Sequence, residues 1–174
     1  MIRKATQNDI QGIVKIYDAI IKKEEEQTLC VGWKRGVYPT EDTAQKAFNR
    51  NELFVLEDNN CIVAAAIINQ TQVQEYRDCN WTYQVPDDEI MVLHTLVVDP
   101  EMSNKGYGKQ FVEFYEEFSA QLGIEYLRMD TNAKNLGARK FYEKIGYKEV
   151  GVVSCIFNGI EGVQLICLEK RLIL

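Results

Sequence analysis

Residues Leu93 to Lys109, LHTLVVDPEMSNKGYGK, run an apolar segment straight into a Gly106-Tyr107-Gly108 turn flanked by Lys105 and Lys109. Backbone amides at such a turn and at the helix start that follows are uncommitted donors. The helix dipole favours negative charge there, and glycine lets a diphosphate come within reach of the main chain. The chemistry these residue types can do is therefore to cradle phosphate. Two common phosphate motifs are excluded. A dinucleotide-binding GxGxxG starting at Gly106 needs glycine where Phe111 stands, and a P-loop ending at Gly108-Lys109 needs glycine at Ser103 and Ser or Thr at Gln110. A second set of regularly spaced residues is Asn135, Ala138, Tyr142, Gly146 and Tyr147. Spacing alone makes Tyr142 a packed aromatic on a stripe with Ala138, Phe141 and Ile145.

The elements that must hold these residues follow from periodicity. Ile2 to Ala5 reads as a short strand, and Thr6 with Asp9 as a capping-box start for a helix with the stripe Ile10, Ile13, Tyr17, Ile20 and Ile21, fraying into the charged run Lys22 to Glu26. A loop with Trp33, Gly36, Tyr38 and Pro39 leads to a helix over about Glu41 to Arg50, capped by Thr40. Strands are predicted at Leu53 to Glu57 and Cys61 to Asn69 around the turn Asp58-Asn59-Asn60. Gln70 to Asp88 has no clear period and is expected to be a loop with strand ends. Beyond it come a strand at Ile90 to Val98, a helix from Lys105 to Leu122 with core positions Phe111, Tyr115, Phe118 and Leu122, and a strand at Tyr126 to Met129. A helix at Asn135 to Ile145 has asparagine at its start and Gly146 at its end. Strands at Tyr147 to Phe157 and Gly162 to Lys170 flank the hairpin signal Asn158-Gly159.

Composition bounds the function classes. The 174 residues, 46% hydrophobic and without a low-complexity linker, fit one domain spanning 1 to 174. A net charge of −6 lacks the general attraction to phosphate backbones, so no nucleic-acid partner is expected. The start MIRKATQND has no apolar core of a signal peptide, and the longest apolar run, Cys61 to Ile68, is too short to cross a bilayer. No membrane partner is expected, and the chain reads as cytoplasmic. Five cysteines without a CxxC pair, and a single histidine, suit buried thiols in a reducing compartment and give no metal site.

Both blocks resemble the GNAT superfamily of acyl-CoA-dependent N-acetyltransferases. Its first signature looks like a strand ending in V-x-P followed by Q/R-x-x-G-x-G/A, matched here by Val98-Asp99-Pro100 and Ser103-Asn104-Lys105-Gly106-Tyr107-Gly108, with Ser103 departing from the usual Gln or Arg. Its later signature looks like N-x-x-A-x-x-x-Y-x-x-x-G-F/Y, matched by Asn135, Ala138, Tyr142, Gly146 and Tyr147. The resemblance implies an α/β (α+β) fold: a mixed, mostly antiparallel sheet of about seven strands, splayed between strands 4 and 5 and flanked by about four helices. It also implies acetyl-CoA as co-substrate. The pantetheine arm would pair with the backbone of Leu96, Val97 and Val98, and the pyrophosphate would be held at Ser103, Asn104, Lys105, Gly106, Tyr107, Gly108 and Lys109. Asn135, Ala138 and Tyr142 would complete the cofactor side.

Acetyl transfer to an amine needs a neutral amine, a polarised thioester and a proton for the departing thiolate. The family position puts Tyr142 by the sulfur, and a phenol with pKa near 10 is protonated at neutral pH. His94, in LHTLVV, resembles the L-H-x-L-x-V run of arylalkylamine N-acetyltransferases and is the candidate base, with Glu89 acting through water as the alternative. No nucleophilic triad or acetyl-enzyme cysteine is apparent, which favours direct attack by the amine. The acceptor pocket is expected from Lys22 to Pro39 and Gln70 to Asp88, with Trp33, Tyr38, Trp81 and Tyr83 lining it and Glu25, Glu26, Asp87 or Glu89 attracting a cationic amine. The acceptor is expected to be the primary amine of a small molecule; a protein or peptide amine and a catalytically silent acyl-CoA-binding module are the alternatives, and a homodimer stays open.

Overall fold

The computed structural model describes residues 1–174. Strands β1 (Ile2–Lys4), β2 (Leu53–Asp58), β3 (Cys61–Asn69), β4 (Ile90–Val98), β5 (Tyr126–Asn132), β6 (Lys148–Phe157) and β7 (Ile160–Arg171) form one sheet in the order β1-β2-β3-β4-β5-β7-β6. Every neighbouring pair is antiparallel except β4 and β5, which are parallel. Helices α1 (Ile10–Glu25), α2 (Glu41–Asn49), α3 (Tyr107–Gln121) and α4 (Leu136–Lys144) pack on both faces. The expected mixed, mostly antiparallel seven-stranded sheet with four helices is the fold observed.

Alternation along the strands decides which helix goes where. Phe54, Leu56, Met91, Leu93, Leu127 and Met129 face α3 and α4, meeting Phe111, Val112, Tyr115 and Tyr142. Leu53, Val55, Ala65, Ile67 and Val97 face the other way, onto the α1 stripe of Ile10, Ile13, Tyr17 and Ile20 and onto Ala44 and Ala47 of α2. The remaining half of that second face, built from Ile90, Val92, Leu165 and Cys167, is covered by Tyr76 and Trp81.

Those two aromatics belong to the segment between β3 and β4, which has no strand of its own and only short 3-10 turns at Gln74–Asp78 and Asp87–Glu89. Side chains anchor it. Arg128, 8% exposed, donates to Gln72 Oε1 at 3.1 Å and to the Tyr83 carbonyl at 2.9 Å, and its guanidinium lies 4.1 Å over the Trp81 ring. Next to it across the β5–β7 ladder, the buried Glu169 carboxylate accepts the Thr82 N–H at 3.1 and 3.2 Å. The polar character that hid this segment's order from periodicity is what these buried charges require.

The sequence reading placed Leu122 in the core, but it is 57% exposed. The helix ends at Gln121, the chain turns at Gly123 with φ 75°, and Ile124 takes the buried position instead. Tyr115 does lie in the core and fastens the site's foundation: its fully buried hydroxyl donates to the Met91 carbonyl on β4 at 2.7 Å and approaches the Arg128 carbonyl on β5 at 3.2 Å. Tyr115→Phe is expected to cost about 1–2 kcal/mol, since buried acceptors lose their donor. Urea unfolding measures it; an unchanged midpoint would show that this fastening is idle.

Candidate active site

Strands β4 and β5 pair from Ile90↔Tyr126 to Leu93↔Met129 and then part. Each keeps its outer neighbour: β4 pairs with β3 as far as Val98↔Ala64, and β5 with β7 as far as Asn132↔Leu165. The divergence has a local cause. Two residues of β4, Thr95 and Leu96, oppose the single Ala66 of β3, and Thr95 has φ 51°, so the bulge bends β4 away from β5. The result is a cleft of about 460 Å³ with His94 to Val98 on one wall and Asp130 to Asn132 on the other.

The β4 wall offers backbone. Asp99 N–H bonds to the Val63 carbonyl at 2.8 Å, so by alternation the polar groups of Val98 and Leu96 point to the open edge. The Val97 side chain is buried against α1 instead. At the end of this wall, Gly106 with φ 81° and Asn104 with φ 65° curl the chain into α3. No amide from Asn104 to Lys109 bonds to another backbone group, and a Cβ built on Gly106 meets nothing within 4 Å. This is an open nest of donors at a helix N-terminus, fitted to a diphosphate. Ser103 borders the cleft. The Tyr107 side chain turns away to donate to Asp58 at 2.7 Å, leaving its amide as the available group. Lys109 pairs with Glu113 at 3.2 Å, and Lys105 leans on Met102 Sδ at 3.1 Å, so neither ammonium lines the cleft.

On the α4 side, the Asn135 carboxamide oxygen accepts the Ala138 N–H at 3.1 Å and caps the helix, which sets the direction of Tyr142 two turns on. The Tyr142 ring packs against Phe141 at 5.1 Å and Tyr147 at 6.0 Å. Its hydroxyl makes no hydrogen bond within the protein, and the residue borders the cleft. Burial, then the neighbouring Asp130 charge, push the phenol well above its ordinary range, so it is protonated throughout the physiological pH range.

His94 also borders the cleft, with Nε2 2.9 Å from Asn69 Oδ1. Asn69 Oδ1 accepts from the Thr71 N–H, and Asn69 Nδ2 donates to Glu52, so Oδ1 is an acceptor and His94 carries its proton on Nε2. Burial pulls the imidazole down to about 4, against the opposing pull of Glu52. Across the cleft, Asp130 accepts from the Tyr76 hydroxyl at 2.7 Å, and burial raises its carboxyl to about 6. Sequence reasoning missed Asp130 because it ended the strand at Met129, where the apolar run stops. The ladder to β7 carries β5 on to Asn132.

The segment before α2 roofs the cleft. Gly32, at φ 79°, lies so close to Asn132 that a Cβ there would stand 2.3 Å from its Nδ2. Trp33 and Tyr38 line the cleft edge to face, 6.1 Å apart, and the Tyr38 hydroxyl bonds to Thr95 Oγ1. Tyr83, Trp81 and Glu89 are not brought in. Tyr83 packs on Tyr126 at 5.3 Å, at the paired end of β4 and β5, and Trp81 lies beneath Arg128. Glu89 precedes β4, five residues before His94 or roughly 16 Å along an extended strand. Glu25 is held by Arg35 at 2.9 Å, and neither it, Glu26 nor Asp87 borders the cleft. No group of three or more His, Cys, Asp or Glu is gathered for a metal, and no helix is long and apolar enough to cross a membrane.

A parallel pair that splays beside a glycine-rich helix start is the arrangement expected from the resemblance to the GNAT superfamily, and sequence comparison agrees on the family. Residues 17–147 match the acetyltransferase (GNAT) family, and the chain belongs to it. It is 29% identical over 76 residues to an uncharacterised N-acetyltransferase of Methanocaldococcus jannaschii, covering 44% of this chain and 34% of that one. It is 37% identical over 57 residues to the aminoalkylphosphonate N-acetyltransferase of Salmonella typhimurium, covering 33% and 37%. The matches thus span about a third of the length of these curated relatives. Among solved structures, a GNAT-family acetyltransferase from Streptococcus agalactiae superposes with a TM-score of 0.84 at 20% identity, over 100% of this chain and 96% of that one. The ribosomal-protein-S18-alanine N-acetyltransferase of Escherichia coli gives 0.70 at 17% identity, over 100% and 94%. These likenesses show the fold.

Proposed function

We propose that the protein transfers the acetyl group of acetyl-CoA to a primary amine of a small molecule, by direct attack within a ternary complex. The observation that carries this reading is the unbonded Tyr142 hydroxyl bordering the cleft where β4 and β5 part. When bound, acetyl-CoA supplies the activated acyl group. The amides of Asn104 to Lys109 hold its diphosphate, and the open edge of Leu96 and Val98 aligns its arm. Tyr142 gives its proton to the departing sulfur. Because its pKa is raised, the hydroxyl stays protonated until a stronger base than water develops beside it.

A small acceptor is favoured by the roof of Gly32, Trp33 and Tyr38, which narrows the approach, and by the volume shared with the pantetheine arm. The experiment is free-thiol release from acetyl-CoA over a panel of amines and N-terminal peptides. Thiol release with small amines supports the reading, peptide preference moves the acceptor class to proteins, and CoA binding without turnover on any amine leaves a silent acyl-CoA-binding module.

A further inference from the structure

Among the side chains bordering the cleft, Asp130 is the only carboxylate and Lys23 the only ammonium. Asp130 stands at the first β5 position beyond the last β4–β5 pair, on the sheet face opposite α3 and α4. Its Oδ2 is fixed by the Tyr76 hydroxyl, while Oδ1 takes no hydrogen bond from the protein and lies open to the cleft. Tyr76 bonds to it, Cys167 is its cross-strand partner on β7, and the other titratable groups within electrostatic reach are Glu75 from the β3–β4 segment, Tyr38 from the roof, Tyr142 from α4 and Cys155 from β6. None of these is a cation. A half-satisfied, partly buried carboxylate with no ion-pair partner in the protein favours a positively charged ligand. The cleft that it borders also carries the apolar side chains Ile20, Leu29, Val31, Trp33, Val73 and Ile160.

We infer that Asp130 recognises the acceptor, its free oxygen taking the ammonium of a monoamine carried on a short apolar arm and removing the proton before attack. This rests on acetyl transfer in the same cleft. The ammonium gives one proton to Asp130, and the freed lone pair forms the N–C bond to the thioester carbonyl as the π electrons move onto oxygen. Those electrons return as the C–S bond breaks, and its pair leaves on sulfur, which takes the Tyr142 proton. The second nitrogen proton restores Tyr142, and Asp130 releases its proton to solvent, giving amide, thiol and one proton. His94 is poorly matched to that transfer, since burial holds its imidazole at about 4. Asp130 at about 6 is closer to an alkylammonium near 10. Lys23, the one ammonium bordering the cleft, disfavours a second positive charge on the ligand, which sets polyamines aside.

The test compares wild type with Asp130→Asn, whose amide oxygen can still accept from Tyr76, using hexylamine and spermidine as probes. Calorimetry on the CoA complex should show hexylamine binding weakened at least tenfold by the substitution, with CoA affinity unchanged. The kcat/KM for hexylamine should fall about a hundredfold or more, and the wild-type acidic limb near pH 6 should vanish. A raised folded pKa means that stability is lost as pH climbs from the unfolded carboxyl range, about 4, through about 6. The variant should therefore melt no lower than wild type at pH 8, whereas a merely structural role would lower its melting point at both pH 5 and pH 8. The inference is overturned if hexylamine binding and turnover survive the substitution, if spermidine is preferred, or if no amine binds. Binding that depends on Asp130 without thiol release would instead sink the acetyl-transfer reading and leave the recognition site standing.

Discussion

Tyr142→Phe is expected to lower kcat about a hundredfold or more while CoA affinity and folding stability stay close to wild type. One positioned acid is typically worth 10² to 10⁴ in rate. The substitution is unusually clean here. The hydroxyl has no partner in the protein, so its removal orphans no buried group, and the ring contacts with Phe141 and Tyr147 persist. Steady-state kinetics at saturating acetyl-CoA, paired with calorimetry of CoA binding, checks it. Since the residue is 8% exposed, a loss of kcat accompanied by a large drop in melting temperature would indicate a packing role instead. An unchanged kcat where chemistry limits turnover would remove the acid role altogether.

Gly106→Val should instead abolish tight CoA binding, weakening the dissociation constant by roughly a hundredfold or more. At φ 81° a β-branched residue is strained by about 1–2 kcal/mol, and relief of that strain turns the neighbouring amides out of their nest. Losing two charge-assisted hydrogen bonds, each worth about 1.5–3 kcal/mol, accounts for the rest. A Cβ at this position meets no protein atom within 4 Å beyond its chain neighbours, so the fold should tolerate the substitution; the obstruction falls on the diphosphate. Isothermal calorimetry with CoA measures this directly, and wild-type affinity in the variant would mean that the diphosphate is held elsewhere.

Most of the scaffold was legible in the sequence because its elements obey strict periods. Cys61–Asn69 and Ile90–Val98 were read to the residue because they are strongly apolar, as strands covered on both faces should be. The buried stripe Ile10, Ile13, Tyr17, Ile20 and Ile21 was equally plain. The turn into α3 could be read because glycine is needed where φ is positive, as at Gly106. The acceptor half was less visible. Asp130 lies where a strand turns polar, so hydrophobicity stops one residue too soon. Trp81 and Tyr83 look like pocket aromatics in one dimension, but they are drawn beneath and beside Arg128, whose burial no local pattern announces.

The Arg128 and Glu169 anchorage has a further bearing. The segment from Gln70 to Asp88 joins the sheet through a few side-chain bonds rather than through a ladder, yet it delivers Tyr76 to Asp130. In the proposed mechanism the diphosphate grip and the leaving-group chemistry fall to β4, α3 and α4, outside that strap. On that proposal the two halves of one groove can drift at different evolutionary tempos: changes along the strap would retune which amine is welcomed, while the thioester-handling half would stand still.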